Sequence, residues 1–136
     1  MIFTEDNLPT QKETINPEWN YIVSSLKNID PLKKAFFILA NDTSSYIQCT
    51  GDRERLCIEL REINDNQFKH FVLGKPQNKN SLTTVWTEIY SRVGPIHIHE
   101  NEVFNLADAI IIFELFYQGI DVPNTYCKRN VSKLFK

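Results

Sequence analysis

The sequence predicts a single α+β domain over residues 1–136: an antiparallel sheet of about five to six strands, with an N-terminal helix and a long apolar C-terminal helix packed on one face. Three observations carry this. Between residues 35 and 98, short apolar or alternating runs succeed one another with turn residues between them and no helical segment. A segment of helical period precedes these runs, and a nearly continuous apolar segment of helical length follows them. Hydrophobic residues make up 42% and aromatic residues 12% of 136 positions, enough to build one core and too apolar for a disordered chain.

Residues 1–16, MIFTEDNLPTQKETIN, show neither period and read as an irregular lead. They lack the basic start and apolar centre of an export signal, so a cytoplasmic protein is expected. From Pro17 to Ile29, Trp19, Ile22, Val23 and Leu26 recur at helical spacing behind a proline suited to a first turn. Asn16 stands where an N-cap belongs, and Asp30-Pro31 stops the pattern.

Ala35 to Ala40 is an apolar run between Lys33-Lys34 and the turn residues Asn41-Asp42-Thr43, and reads as a buried strand. Tyr46 to Cys49 and Leu56 to Ile63 follow as strands. In the second, Leu56, Ile58 and Leu60 alternate with Cys57, Glu59 and Arg61, the period expected when one face is dry and the other meets water or a partner. Asn64-Asp65-Asn66 is a turn signal, Phe68 to Leu73 a further strand, and Lys75 to Ser81 a polar loop. Val85 to Tyr90 alternates again, Gly94-Pro95 breaks it, and Ile96 and Ile98 resume it. Val103 to Gln118 is a helix with Asn101 or Asn105 as N-cap and Gly119 as its stop. Being apolar nearly all round, it is expected to lie across the sheet and to meet the first helix or another chain. Residues 120–136 form a C-terminal extension that offers Val122, Tyr126, Val131, Leu134 and Phe135 for docking, without an assigned conformation.

The longest apolar runs, Ala35 to Ala40 and Ala109 to Phe113, are far short of a membrane span. Cys49, Cys57 and Cys127 form no C-x-x-C pattern and are expected as free thiols. The formal net charge of −2 gives no footprint for nucleic acid or anionic membrane. Its distribution is informative. Residues 126–136 hold four of the fifteen Lys and Arg and no acid, which leaves eleven basic against seventeen acidic groups, a net −6, over residues 1–125. An acidic body suits a basic partner.

The stretch "PIHIHENE", Pro95 to Glu102, places His97 and His99 on one face of a strand, where they could share a metal with Glu100 or Glu102 as a third ligand. If Ile96 and Ile98 face the core, both histidines face away from it and serve better as partner contacts. Glu100 and Glu102 then suit the positive end of the following helix. Cys57 with His70 could form a nucleophile and base, but Cys57 stands among apolar strand residues and reads as a packed thiol. No G-x-S-x-G, Walker A, Rossmann glycine run, EF-hand or H-E-x-x-H occurs, so no catalytic residue, metal or cofactor is assigned. What stands out is a polar strand face, Glu59, Arg61, Glu88, His97 and His99, interleaved with Trp86 and Tyr90. Aromatic residues within an acidic rim suit recognition of a basic protein.

The ending "IHIHENEVFNLADAIIIFELFYQGIDVPNTY" resembles that of the small immunity proteins of bacterial polymorphic-toxin and contact-dependent growth inhibition systems. In that group a strand leads into an alanine-bearing helix, then Phe, Gly, Pro and an aromatic. The motif covers about the last third of the chain, and the order of elements matches over the rest. Tyr126 stands where the group carries Trp, and the step from Gly119 to Pro123 is longer. The resemblance implies a cytoplasmic, non-enzymatic protein that neutralises one cognate toxin domain, commonly a nuclease or deaminase, by covering its active site or substrate surface. The expected toxin interface is then Glu59, Arg61, Glu88, Trp86, Tyr90, His97 and His99, with no direct nucleic-acid or membrane contact. Two alternatives stand beside it: a small metal-dependent hydrolase using His97, His99 and His70, and a homodimeric subunit joined through Val103 to Gln118.

Overall fold

A computed structural model describes residues 1–76 and 85–135. Most of the expected polar loop, from residue 77 to 81, lies outside them. The elements run β1 (Ile2–Asn7), β2 (Thr10–Ile15), α1 (Trp19–Leu26), β3 (Phe36–Ala40), β4 (Tyr46–Gly51), β5 (Leu56–Asn64), β6 (Gln67–Gly74), β7 (Trp86–Ile89), β8 (Ile96–His99), α2 (Leu106–Tyr117) and β9 (Cys127–Asn130). Seven strands form one antiparallel sheet in the order β2-β1-β3-β4-β5-β6-β9, and β7 and β8 pair separately as a hairpin. The class is α+β, as expected. The sheet is larger than expected and the hairpin is not part of it.

Both helices cover the first face. Phe3, Phe37, Leu39, Ile47, Cys49, Leu56, Ile58 and Leu60 project from the strands against Ile22 and Leu26 of α1 and Ile112 and Phe113 of α2. Phe3 stacks on Phe37 at 5.8 Å between ring centroids and meets Tyr21 edge-on at 6.2 Å. Leu56, Ile58 and Leu60 are the dry set the alternation predicts. The second face is not simply wet, however: Cys57 is also fully buried, under the β7–β8 hairpin.

The expected irregular lead is a β-hairpin. Phe3 and Glu5 of β1 are buried on the first face and Asp6 on the second, whereas β2 is polar and exposed along nearly its whole length, leaving no apolar pattern to read. Asn16 does not cap α1. It adopts a left-handed φ of 50°, its N–H donates to the Met1 carbonyl at 2.7 Å, and its side chain accepts from the Met1 amino group at 2.9 Å. The N-cap is Glu18, without a side-chain bond, so the helix starts later than expected. The β5–β6 turn has positive φ at Asp65 and Asn66, the signature of a two-residue hairpin turn that matches strand twist.

α2 begins at Leu106 rather than Val103 and spans twelve residues. Asn105 is the N-cap: its side chain accepts from the Asp108 N–H at 2.9 Å while Asp108 accepts from the Asn105 N–H at 3.2 Å. Gly119, at φ 74°, ends it. The interval Glu100–Glu102 is a separate 3₁₀ turn, so its carboxylates do not sit in the first turn of α2. The extension past Gly119 adds the edge strand β9 and a closing 3₁₀ turn, Ser132–Phe135. Among the described residues no helix is long and apolar enough to cross a membrane.

Candidate protein-binding surface

The β7–β8 hairpin is two-sided, and its alternation decides which residues it offers. Register pairs Trp86 with His99, Thr87 with Ile98, Glu88 with His97 and Ile89 with Ile96. Ile89 and Ile98 point into a second small core with Cys57, Val72 and Val131, partly closed by Ile96 and Val103. Each is essentially fully buried, which stabilises the docked hairpin by about 2 kcal/mol per side chain. The opposite side therefore presents Trp86, Glu88, His97 and His99 outward, as expected for both histidines. Trp86 is 58% exposed, and Tyr90, just past the end of β7, is 73% exposed.

Polar clips hold this hairpin in place. Arg55 donates from Nη2 to the Thr87 hydroxyl at 3.0 Å and to the Glu88 carbonyl at 2.9 Å. Arg92, in the β7–β8 turn, donates from Nε to Asp6 at 3.1 Å and from Nη2 to the other oxygen of the same buried carboxylate. Asp6 also accepts from the Ala35 N–H at 2.8 Å, so this buried charge is both paired and hydrogen-bonded. At the other end Glu102 is buried and takes both Arg129 Nε and Nη2 at 2.9 Å, and the His99 N–H at 2.7 Å. Its carboxylate thus fixes the end of β8 to β9. The Arg129 guanidinium lies 5.3 Å from the Trp86 ring centroid, and the His99 ring meets that indole edge-on at 4.2 Å.

The histidines are not grouped. His97 Nδ1 lies 3.3 Å from Glu88 in an exposed cross-strand pair, and His99 Nδ1 is 4.0 Å from Glu102, whose oxygens Arg129 already engages. Among the described residues no group of three or more His, Cys, Asp or Glu is placed to hold a metal ion. His70 lies elsewhere, buried on the second face of the main sheet between Glu59 and Arg61. Arg61 Nε donates to His70 Nδ1 at 3.0 Å, which leaves Nε2 to carry the proton donated to Glu59 Oε1 at 2.9 Å. Cys57 is not engaged by this histidine. Burial pushes its thiol well above the ordinary range, reinforced by the Glu59 and Glu102 carboxylates, and burial pushes Cys49 up to about 12.

The seven residues expected to share one face thus fall into two groups. Trp86, Glu88, His97 and His99, with Tyr90 beyond them, belong to the hairpin. Glu59 and Arg61 belong to the sheet, where they are committed to His70 and to aromatic rings: the Arg61 guanidinium is 4.3 Å from Phe68, 4.6 Å from Phe135 and 5.6 Å from Tyr46. Between and beside the two groups, Ile2, Thr4, Ile38, Ala40 and Gln48 of the second face are half-buried or exposed. Arg55, Arg92 and Arg129 are not among the residues the sequence singles out, and Phe135, expected only as a docking residue, is a partner of Arg61. For Arg129 the only available signal was its place in a basic segment of an otherwise acidic chain. Compared with protein-family models, curated proteins and solved structures, the chain finds no match in any of the three.

Proposed function

We propose that the chain is an immunity protein that binds a cognate toxin domain, a nuclease or similar nucleic-acid-directed enzyme, and neutralises it by covering its active site or substrate surface. One observation supports this above others: Trp86 and Tyr90 stand largely in water on a hairpin whose reverse side is locked into a core. Large aromatic rings held rigidly at a surface are the residue types that dominate binding energy in protein interfaces. Glu88 beside them, and the net −6 of residues 1–125, favour a basic partner surface. The resemblance of the Ile96 to Tyr126 segment to immunity proteins points the same way.

The test is a search of the neighbouring genes for an exported protein with a C-terminal toxin domain, followed by co-production of the chain with that domain. Growth is expected to be rescued, the two proteins to co-purify, and Trp86→Ala with Tyr90→Ala to weaken binding at least 30-fold while leaving the unfolding midpoint within about 2 °C. Glu88→Lys should also weaken binding without unfolding the chain. Glu59→Lys is the poorer probe, because it strips the buried His70 of its acceptor. Cells that remain fully sensitive to the toxin while producing the folded protein would defeat the proposal.

A further inference from the structure

β2 is an edge strand with unused main-chain hydrogen-bonding capacity on one side. It pairs with β1 alone, and no described element lies against its other edge. Which groups are free follows from the ladder. The N–H of Asn16 donates to the Met1 carbonyl, so even-numbered residues along this stretch turn their N–H and C=O groups toward β1. The N–H and C=O groups of Gln11, Glu13 and Ile15 therefore point outward. All three residues are exposed, Ile15 at 74%.

The side chains limit what can pair there. A second copy of the chain would have to approach antiparallel about a twofold axis, with outward-pointing residues meeting outward-pointing residues. The two registers of longest overlap centre that axis on Glu13 or on Lys12, and so set like charges directly opposite one another. Self-pairing is disfavoured by these charges, a recognised way of protecting an edge from its own kind. A different chain with complementary charge meets no such barrier. Gln11, Glu13 and Ile15 project on the second face of the sheet, in register with Asp6, Thr4 and the 42% exposed Ile2. Lys12 is turned to the first face, over the Tyr21 ring at 5.3 Å. The edge is continuous with the aromatic hairpin surface, since Arg92 of the β7–β8 turn anchors on Asp6, the register partner of Gln11.

We infer that the outer edge of β2 accepts an extended strand from the partner protein, bonded main chain to main chain through Gln11, Glu13 and Ile15. That strand carries a basic side chain opposite Glu13 and an apolar one against Ile15. The inference rests on the toxin-binding reading above and specifies how that partner is held.

The experiment uses the full chain and the toxin domain found by the test proposed above. Amide hydrogen exchange of Gln11, Glu13 and Ile15 is expected to slow at least tenfold in the complex. Glu13→Pro removes an outward donor while leaving the bonds of β2 to β1 in place, and should weaken binding at least tenfold with the β1–β2 amides still protected. Glu13→Lys leaves the backbone untouched and should weaken it similarly, which keeps the test valid if the proline variant misfolds. Unchanged exchange at the three amides together with wild-type affinity of Glu13→Lys would overturn the edge assignment while leaving toxin binding intact. Slowed exchange in the isolated chain as its concentration rises would overturn it in favour of self-pairing. No binding of the wild-type chain to the toxin domain would overturn both readings.

Discussion

Burial of Cys49 under the helices and of Cys57 under the β7–β8 hairpin holds both thiols neutral in the folded chain, with Cys49 displaced to about 12 and Cys57 also raised. In the unfolded chain they ionise near 9, the ordinary value. Between these limits the folded state binds the proton that the unfolded state has lost, so stability is full below pH 9 and falls as pH rises toward 12. Cys49 should contribute a loss of about 1.4 kcal/mol per pH unit in that window, and the raised Cys57 thiol acts in the same direction. Urea unfolding at a series of alkaline pH values measures it, and Cys49→Val with Cys57→Val should flatten the slope relative to the parent. An equal slope in the variant would place the sensitivity on other groups. The apolar surroundings of both cysteines were legible in the sequence, where each lies in a strand-forming run. The buried acids were not. Asp6 finds Arg92 86 positions away and Glu102 finds Arg129 27 positions away, and no local pattern announces a partner brought in by strand pairing.

The β7–β8 hairpin is the element on which the candidate surface depends, and its attachment is separable from the main sheet. Ile98→Ala removes a fully buried side chain from the small second core and should cost about 2–5 kcal/mol in docking of the hairpin. Amides of Trp86–Ile89 and Ile96–His99 are expected to exchange faster in that variant while those of β3, β4 and β5 keep their protection. Uniform acceleration across both sheets would mean that the two cores unfold together. β3 is legible as an apolar run, and β5, β7 and β8 by an alternation that also buries Ile58, Ile89 and Ile98. β2 and β9, TQKETI and CKRN, lie at opposite edges of the sheet with mostly polar side chains, so hydrophobic period could not disclose them. The expected surface has the complementary problem: period sets Cys57 on the outward side of β5, where the hairpin covers it, and period alone does not say that β7 and β8 leave the main sheet and carry Trp86, Glu88, His97 and His99 away from Glu59 and Arg61.

The molecule as a whole carries a formal net charge of −2, concentrated in the acidic residues 1–125, and attraction to the proposed basic partner should show in the rate of association rather than in how long the complex lasts. Raising sodium chloride from about 50 to about 500 mM is expected to slow association with the toxin domain by about tenfold or more, and to change dissociation by less than about threefold. Stopped-flow mixing separates the two; a salt effect confined to dissociation would argue against steering by the −6 of residues 1–125. The fold class and the succession from β3 to β8 followed from the sequence, because both follow from counting apolar and alternating runs, whereas β1, β2 and β9 did not. The sheet order did not, since β1 reaches β3 past α1, and β9 returns to β6 past both the hairpin and α2. That order has a temporal meaning. During synthesis β1 to β6 can pair in the sequence in which they emerge, each on a strand already made, whereas the pairing of Gly74 with Cys127 must close the longest loop in the sheet. Arg129, which neutralises Glu102 and lies over Trp86, arrives only with that last strand. A ribosome-bound chain halted before β9 would therefore hold most of its sheet while the Glu102 carboxylate and the Trp86 ring still lacked Arg129.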